Sequence, residues 1–330
     1  MQKNNVQNKT QLEVTTQSVF GLKYINNDIC LHTPSNYKHD EKVTVSMIQF
    51  HRRFSDKVGD LFDDLDWSNV LMAGGLVSGL IEAKASMSEY ATSDIDLFVY
   101  GDKQTVINKI QQIYNYFIQK LDKQFFAFVY LPETAILNIV IADKFSVQII
   151  GTLFNSEKQI LESFDMTHCQ VGFNGQKIIY TNEFIEAITT KITTITKRSI
   201  HAYRLIKAQD RGYSIKRPSY CYIKNIFHDY TQKPGDKIPS NTDKFYDINN
   251  LEEIIDELRN NPIVIQNLTK NYIPSFVNFD DDDEFENEVR KIGELYAGKG
   301  KYKFVNDYNS FVFIDDIREY LKFVRVPFPV

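Results

Sequence analysis

The alternation of apolar and polar positions is most informative in the first third of the chain. A short apolar run at Val70–Ala73 is followed by Gly74 and Gly75 and by an apolar segment at 76–85. After a polar spacer, a second apolar run occupies 97–100. Short apolar runs bounded by glycine are typical of strands and tight turns, whereas a longer apolar segment favours a helix. The pattern therefore predicts a strand, a glycine turn, a short helix, a loop and a second strand.

The remaining periodic segments predict a mixed sheet with helices packed against it. Apolar residues at helical spacing predict helices, the first of them capped by Ser46, at 45–65, 103–122, 156–164, 182–190 and 199–209. Strand-like runs lie at 125–131, 136–142 and 145–150, with a hairpin around Asn174 and Gly175 and a second hairpin within 17–40. Helices are also predicted at 251–260, 263–271, 284–296 and 314–324. The fold class is thus α/β (α+β), with a mixed-sheet domain and a mainly helical C-terminal domain.

Domain organisation follows from the same pattern and from the chain length of 330 residues. Residues 1–16 are polar and unpatterned, which predicts a mobile tail. A sheet domain is expected at 17–195, with an N-terminal extension to residue 65 and a core from residue 66. The helical domain then occupies 196–330.

Charge and cysteine content narrow the classes of partner. The net charge of −5 gives no global attraction to nucleic acid or anionic membranes, so such contacts need a local basic patch. The segment 191–217 is such a patch, with four lysines and four arginines against one acidic residue. No apolar run is long enough to span a bilayer, which predicts no membrane partner. Three widely spaced cysteines without a C-x-x-C pair predict a reducing, cytoplasmic location and neither a disulfide framework nor a zinc site.

An acidic pair opens the second strand of the glycine motif. Asp94 and Asp96 are two positions apart, so their side chains lie on the same face of a strand. Two carboxylates side by side at a buried strand are costly unless a cation or hydrogen-bond donors lie between them. A divalent metal is the simplest explanation, and the two aspartates are the predicted metal ligands and catalytic residues.

The glycine pair followed by Asp94-x-Asp96 resembles the polymerase-β-like nucleotidyltransferase superfamily. The resemblance implies that Gly74, Gly75 and Ser78 belong to a nucleotide pocket and that the aspartates hold Mg²⁺ or Mn²⁺. It implies transfer of a nucleoside monophosphate from an NTP such as ATP to a hydroxyl, with release of pyrophosphate. The acceptor is an RNA end, a protein or a small molecule, and the sequence does not choose among them.

One position departs from this family. Its members usually carry a third carboxylate on a later strand facing the pair, and the polar residue at the centre of the strand at 145–150 is Gln148. A neutral amide can hydrogen-bond but cannot act as a base. Three alternatives remain: an inactive relative that serves as a binding or scaffold protein, an enzyme with two carboxylates, or a base supplied by Asp143 or Asp165.

Two further stretches, 147–175 and 204–215, are similar to poorly characterised nucleotidyltransferase-like proteins of viruses, phages and some eukaryotes. The shared features are an apolar-Gln-apolar strand, a Phe-Asp helix end and an Arg-x-x-Lys-x-x-x-Arg-Gly helix. The resemblance implies that Arg204 and Lys207, before Arg211, contact the triphosphate, and that a viral protein would act in host cytoplasm or a virion. Phosphate contacts of this kind are salt-dependent and insensitive to base identity.

Overall fold

The computed structural model describes residues 22–26, 29–90, 93–121, 126–131, 135–141, 145–218, 222–224, 259, 302–303, 310–313 and 317–325. The strands are β1 (Lys23–Ile25), β2 (Val70–Ala73), β3 (Ile95–Tyr100), β4 (Phe126–Leu131), β5 (Ile136–Ile141), β6 (Phe145–Phe154), β7 (Val171–Phe173), β8 (Ile178–Tyr180), β9 (Ile192–Thr194), β10 (Ser199–His201), β11 (Ser214–Lys216), β12 (Tyr222–Lys224), β13 (Tyr302–Lys303) and β14 (Ser310–Phe313). The helices are α1 (Met47–Val58), α2 (Gly75–Ile81), α3 (Lys103–Lys120), α4 (Glu157–Glu162), α5 (Asn182–Thr190), α6 (Ala202–Asp210) and α7 (Ile317–Leu321).

A ten-stranded sheet forms the centre of the described structure, in the order β1-β8-β7-β2-β3-β6-β5-β4-β14-β13. The β3–β6 pair is parallel and the other neighbouring strands are antiparallel. This confirms the predicted mixed α/β sheet. It also places β3, which carries the acidic pair, in the middle of the sheet, where neighbouring strands on both sides fix its position.

The two faces of the sheet are covered unequally. On β3, the side chains of Ile95, Leu97 and Val99 are fully buried in the larger core, to which α3 contributes. The alternate residue Phe98 packs with Leu71 on the opposite face, in a smaller core that includes residues of α4. Because strand residues alternate between faces, Asp96 lies on the Phe98 side. The acidic pair therefore lies beside the smaller core.

The start of α1 shows how local sequence sets an element boundary. The Ser46 side chain accepts a hydrogen bond from the Gln49 backbone N–H, and the Gln49 side chain accepts one from the Ser46 backbone N–H. This reciprocal capping confirms the predicted cap. The helix ends at Val58, earlier than predicted, because Gly59 has a φ of 61° and breaks the helical path.

Two predicted elements differ from the structure. The predicted N-terminal hairpin within 17–40 is wrong, because β1 pairs antiparallel with the distant strand β8, with Tyr24 opposite Ile179. The predicted helix at 199–209 begins only at Ala202, since the three residues before it form β10 and pair with β12.

The described C-terminal segments join the main sheet. Strand β14 pairs with β4, and the buried Tyr320 hydroxyl of α7 donates a hydrogen bond to the Ala135 carbonyl at 2.9 Å. Helix α7 confirms part of the predicted helix at 314–324. Apart from Arg259, the helices predicted at 251–260, 263–271 and 284–296 lie outside the described residues, as does the predicted tail, and the domain boundary at 195 stays a prediction. No described helix is long and apolar enough to cross a membrane.

Candidate metal and nucleotide site

The turn between β2 and α2 requires glycine for two reasons. Gly74 has a φ of 102°, a left-handed conformation that residues with a side chain rarely adopt. A methyl group at this position would also lie 2.9 Å from Cε1 of the Phe164 ring and 3.6 Å from Oδ2 of Asp96. The predicted glycine turn thus lies directly beside the predicted carboxylate.

The two aspartates are partly buried at the start of β3. Burial raises the pKa of Asp94, while the charge of Lys207, a hydrogen bond from Ser146 and the charge of Lys57 oppose the shift. Burial, followed by the negative charge of Asp94, raises the pKa of Asp96 to about 8. Ionising both carboxylates is therefore unfavourable in the protein alone. A cation between them would favour the ionised pair.

A row of side-chain amides continues from Asp96 across the sheet. Asp96 on β3 is opposite Gln148 on β6, and Gln148 is opposite Asn138 on β5. Residues directly opposite each other in a sheet project from the same face. The Asn138 side chain is only 6% exposed, and its Nδ2 has no hydrogen-bond partner within the structure described. Asp96, Gln148 and Asn138 therefore follow one another across one face of the sheet.

Helix α6 brings two of the predicted basic residues to this side of the protein. The Arg204 Nη1 atom lies 2.9 Å from Oδ2 and 3.1 Å from Oδ1 of Asp165, so this guanidinium is engaged by a neighbouring carboxylate. Lys207 is half-buried, and burial lowers its pKa to about 8 against the opposing charge of Asp94. The positive charges of Arg204 and Lys207 both favour the ionised form of Asp96, and that of Lys207 also favours the ionised form of Asp94.

Arg211, ranked behind the other two in the sequence analysis, lies on the glycine turn. A methyl group on Gly75 would be 2.7 Å from Arg211 Nη1. The guanidinium also donates a hydrogen bond to Ser93 Oγ at 2.9 Å and lies 4.3 Å from the centre of the Tyr90 ring. Positions 204, 207 and 211 share one helical face, so the spacing of the motif could have given Arg211 equal rank.

Ser78 lies on α2, where its side chain is fully buried. It lies beside the phenol of Tyr213, which donates a hydrogen bond to Glu82 Oε2 at 2.8 Å. The assignment of Ser78 to the nucleotide pocket stays a prediction.

The donor set fits one hard cation better than a complete cage. Within the residues described, no group of three or more histidine, cysteine, aspartate or glutamate side chains could hold a metal ion. Asp165 is paired with Arg204, and Asp143 lies outside the described residues. Asp94, Asp96 and the amide oxygen of Gln148 offer oxygen donors of the type Mg²⁺ takes, and Mg²⁺ commonly completes its shell with water and phosphate.

Comparison with known sequences gives two matches. The profile of a family described as "Gad2: Gabija anti-defense 2 family protein" matches residues 46–191. A protein of Acanthamoeba polyphaga mimivirus, described only as uncharacterized, is 23% identical over 244 residues. That alignment covers 64% of this chain and 53% of the mimivirus protein, so the chain spans about half the length of that relative.

Comparison with solved structures gives distant matches. A CCA-adding enzyme in complex with CTP is 13% identical with a TM-score of 0.34, over 51% of this chain and 42% of that enzyme. The Thermotoga maritima CCA-adding enzyme in complex with tRNA is 10% identical with a TM-score of 0.36, over 79% of this chain and 58% of that enzyme. Neither superposition is close enough to support an inference about function.

Proposed function

We propose that this chain binds an NTP together with Mg²⁺ or Mn²⁺ and transfers its nucleoside monophosphate to an acceptor oxygen, with release of pyrophosphate. One observation carries the proposal: the carboxylates of Asp94 and Asp96, which are costly to ionise without a cation, lie beside a glycine turn and a basic helix face. Each part alone is common in proteins. Their convergence at one end of a central strand pair supports a metal–nucleotide site.

Asp94 and Asp96 would hold the metal ion, with Gln148 as a neutral third donor. A divalent ion bound there supplies positive charge that stabilises the reacting phosphates and the leaving pyrophosphate. The aspartates lose their protons when they bind a cation, so metal binding is expected to weaken as the pH falls.

Lys207 and Arg211 would bind the triphosphate. Lys207 is near the carboxylates, and Arg211 lies on the turn at Gly75, where the absence of a side chain lets a ligand approach the backbone. Both side chains would balance the charge that gathers on the leaving pyrophosphate. Arg204 is held by Asp165 and would contribute mainly to the positive field around the site.

A second candidate function is nucleotide binding without transfer. Gln148 opposite Asp96 is the observation that favours it, because an amide cannot take a proton from an acceptor hydroxyl. A binding protein of this kind would still melt at a higher temperature with NTP and Mg²⁺, since ligands of the native state stabilise it. It would release no pyrophosphate, which separates it from the enzyme.

The matched family profile suggests a biological setting for either function. Its description names an activity against a defence system called Gabija, and the match covers both the glycine turn and the acidic pair. We therefore include in the proposal that the chain counteracts Gabija defence through this site. If it does, wild-type protein will abolish protection in cells carrying Gabija, and a protein with Asp94→Ala and Asp96→Ala will not.

Label transfer tests the proposed reaction. Purified protein is incubated with each of the four α-phosphate-labelled NTPs, with Mg²⁺ or Mn²⁺ and with RNA, protein and small-molecule acceptors. We expect labelled product from wild type and none from the Asp94→Ala, Asp96→Ala protein. A matched control, Asp56→Ala with Asp63→Ala, removes two exposed carboxylates and should remain active. The proposal fails if no NTP labels an acceptor and the site variant binds NTP as tightly as wild type.

A further inference from the structure

The amide row beside Asp96 is not explained by nucleotide or metal binding alone. Asn138 lies one strand beyond Gln148, and its side chain is 6% exposed with no partner for Nδ2 among the described residues. An unpaired buried donor costs free energy unless something accepts its hydrogen bond. Gln148 separates it from the acidic pair and is itself half-buried. The row thus places the Gln148 amide beside the expected reacting centre and the unpaired Nδ2 of Asn138 one strand further on.

The chemistry of an amide differs from that of a carboxylate at this position in two ways. A carboxylate can accept a proton from an acceptor hydroxyl, and it repels an acceptor that is already negatively charged. An amide cannot accept that proton, but its N–H group can donate a hydrogen bond to an anionic oxygen. A neutral amide therefore suits a nucleophile that arrives without a proton to lose.

The charges around the row also suit an anion. The positive charges of Lys57 and Lys207 oppose the rise in the pKa of Asp94. Those of Arg204 and Lys207 oppose the rise in the pKa of Asp96. Arg211 adds a further positive charge at the glycine turn. Because Lys207 and Arg211 are assigned to the triphosphate, Lys57 and Arg204 are the side chains whose positive charge would act on a second anionic group.

We propose that Gln148 and Asn138 form the acceptor subsite, and that the acceptor is a phosphate monoester that attacks through an oxygen already ionised. This inference rests on the proposed nucleotidyltransferase function and names its acceptor class. A phosphate carries several acceptor oxygens, so it can receive hydrogen bonds from both amides while one oxygen faces the NTP.

The reaction balances without a general base. An oxygen of the acceptor phosphate donates an electron pair to the α-phosphorus of the NTP and forms a new P–O bond. The bond between the α-phosphorus and the oxygen bridging to the β-phosphate breaks, and pyrophosphate leaves with that electron pair. No proton and no oxidant is consumed, and the product contains a phosphoanhydride link between the nucleotide and the acceptor.

The test measures acceptor binding once the nucleotide site is filled. Protein is saturated with Mg²⁺ and an NTP analogue whose α–β bridge is a methylene group, so that phosphate probes cannot occupy the triphosphate positions. Phenyl phosphate is then titrated by calorimetry, with phenol as the neutral control. We expect wild type to bind phenyl phosphate and not phenol, and Gln148→Glu and Asn138→Asp to weaken phenyl phosphate binding by about tenfold or more.

The outcomes separate this inference from the function on which it rests. Asn138→Asp, at a position with no assigned role in metal or nucleotide binding, should still bind Mg²⁺ and the analogue, which shows that its fold and metal site are intact. If the analogue binds but phenyl phosphate does not, or binds equally to wild type and both variants, the acceptor assignment is wrong and the nucleotidyltransferase proposal stands. Transfer of label to hydroxyl acceptors alone would overturn it in the same way. If the analogue fails to bind with Mg²⁺, both proposals fall together.

Discussion

Replacing Asp96 with asparagine should stabilise the protein in the absence of metal. Burial and the neighbouring Asp94 raise the pKa of Asp96 from its usual 3.8 to about 8. Near pH 7 the folded protein must keep a proton that the unfolded chain releases, and each pKa unit corresponds to about 1.4 kcal/mol. At that pH the shift lowers the free energy of unfolding by about 4 kcal/mol. Partial exposure of the side chain reduces this cost, so we expect Asp96→Asn to raise the free energy of unfolding by roughly 2–4 kcal/mol.

The sign of the pH dependence makes this prediction specific. Between about pH 4 and about pH 8 the folded state binds more protons than the unfolded state at Asp96, so its contribution to the free energy of unfolding falls as the pH rises. Wild type and Asp96→Asn are unfolded in urea at about pH 5 and about pH 8. The gap between them, meaning the difference in their free energy of unfolding, should be wider at the higher pH. Adding Mg²⁺ and NTP should narrow the gap by stabilising only wild type.

A surface aspartate provides the control. Asp102 caps α3, and hydrogen bonds from Thr105 lower its pKa, so its titration lies below the tested range. Asparagine is also a good cap, and Asp102→Asn should therefore leave a gap that does not change with pH. If the gap between wild type and Asp96→Asn is also the same at both pH values, the account of a carboxylate buried without a cation is refuted.

Three further substitutions test separate parts of the structure. Gly75→Ala places a methyl group 2.7 Å from Arg211 Nη1, so the Arg211 side chain must move. We expect NTP affinity to drop about tenfold while the melting temperature stays nearly unchanged; unchanged affinity would contradict this. Gly175→Ala combines a φ of 87° with a methyl carbon 2.2 Å from the ring of the single tryptophan, and should lower the free energy of unfolding by about 2 kcal/mol or more in urea. Asp66→Asn removes the 2.6 Å ion pair of the buried Lys109 and should lower the free energy of unfolding by about 1–2 kcal/mol. Because pairing lowers the pKa of Asp66 to about 2, wild type should lose this extra stability as the pH falls from about 4 to about 2.

Local sequence patterns were sufficient for the elements that form the site. The strand, glycine turn, helix and strand from Val70 to Tyr100 could be predicted because each depends on neighbouring residues, namely apolar runs and glycines that permit a left-handed turn. The apolar pattern also placed Gln148 on a strand, and the family resemblance implied that this strand faces the acidic pair. The parallel register sets Gln148 directly opposite Asp96.

Features that depend on distant pairing could not be predicted in this way. Strand β1 was assigned to a local hairpin because sequence patterns do not show that its partner is β8, which lies far from it along the sequence. Asn138 was missed for a related reason. A single polar residue in an apolar strand gives no sign of whether it is buried, and its relation to Gln148 exists only once β5 and β6 pair.

Nucleotide binding with and without a divalent cation tests the central claim most directly. Calorimetric titration of a non-hydrolysable NTP analogue is carried out with Mg²⁺ and with EDTA, on wild type and on Asp94→Asn with Asp96→Asn. The account predicts binding to wild type that requires Mg²⁺ and is lost in the variant, which keeps the shape of the site but not its charge. Equal affinity in the two proteins, or affinity that is the same with and without Mg²⁺, would contradict it.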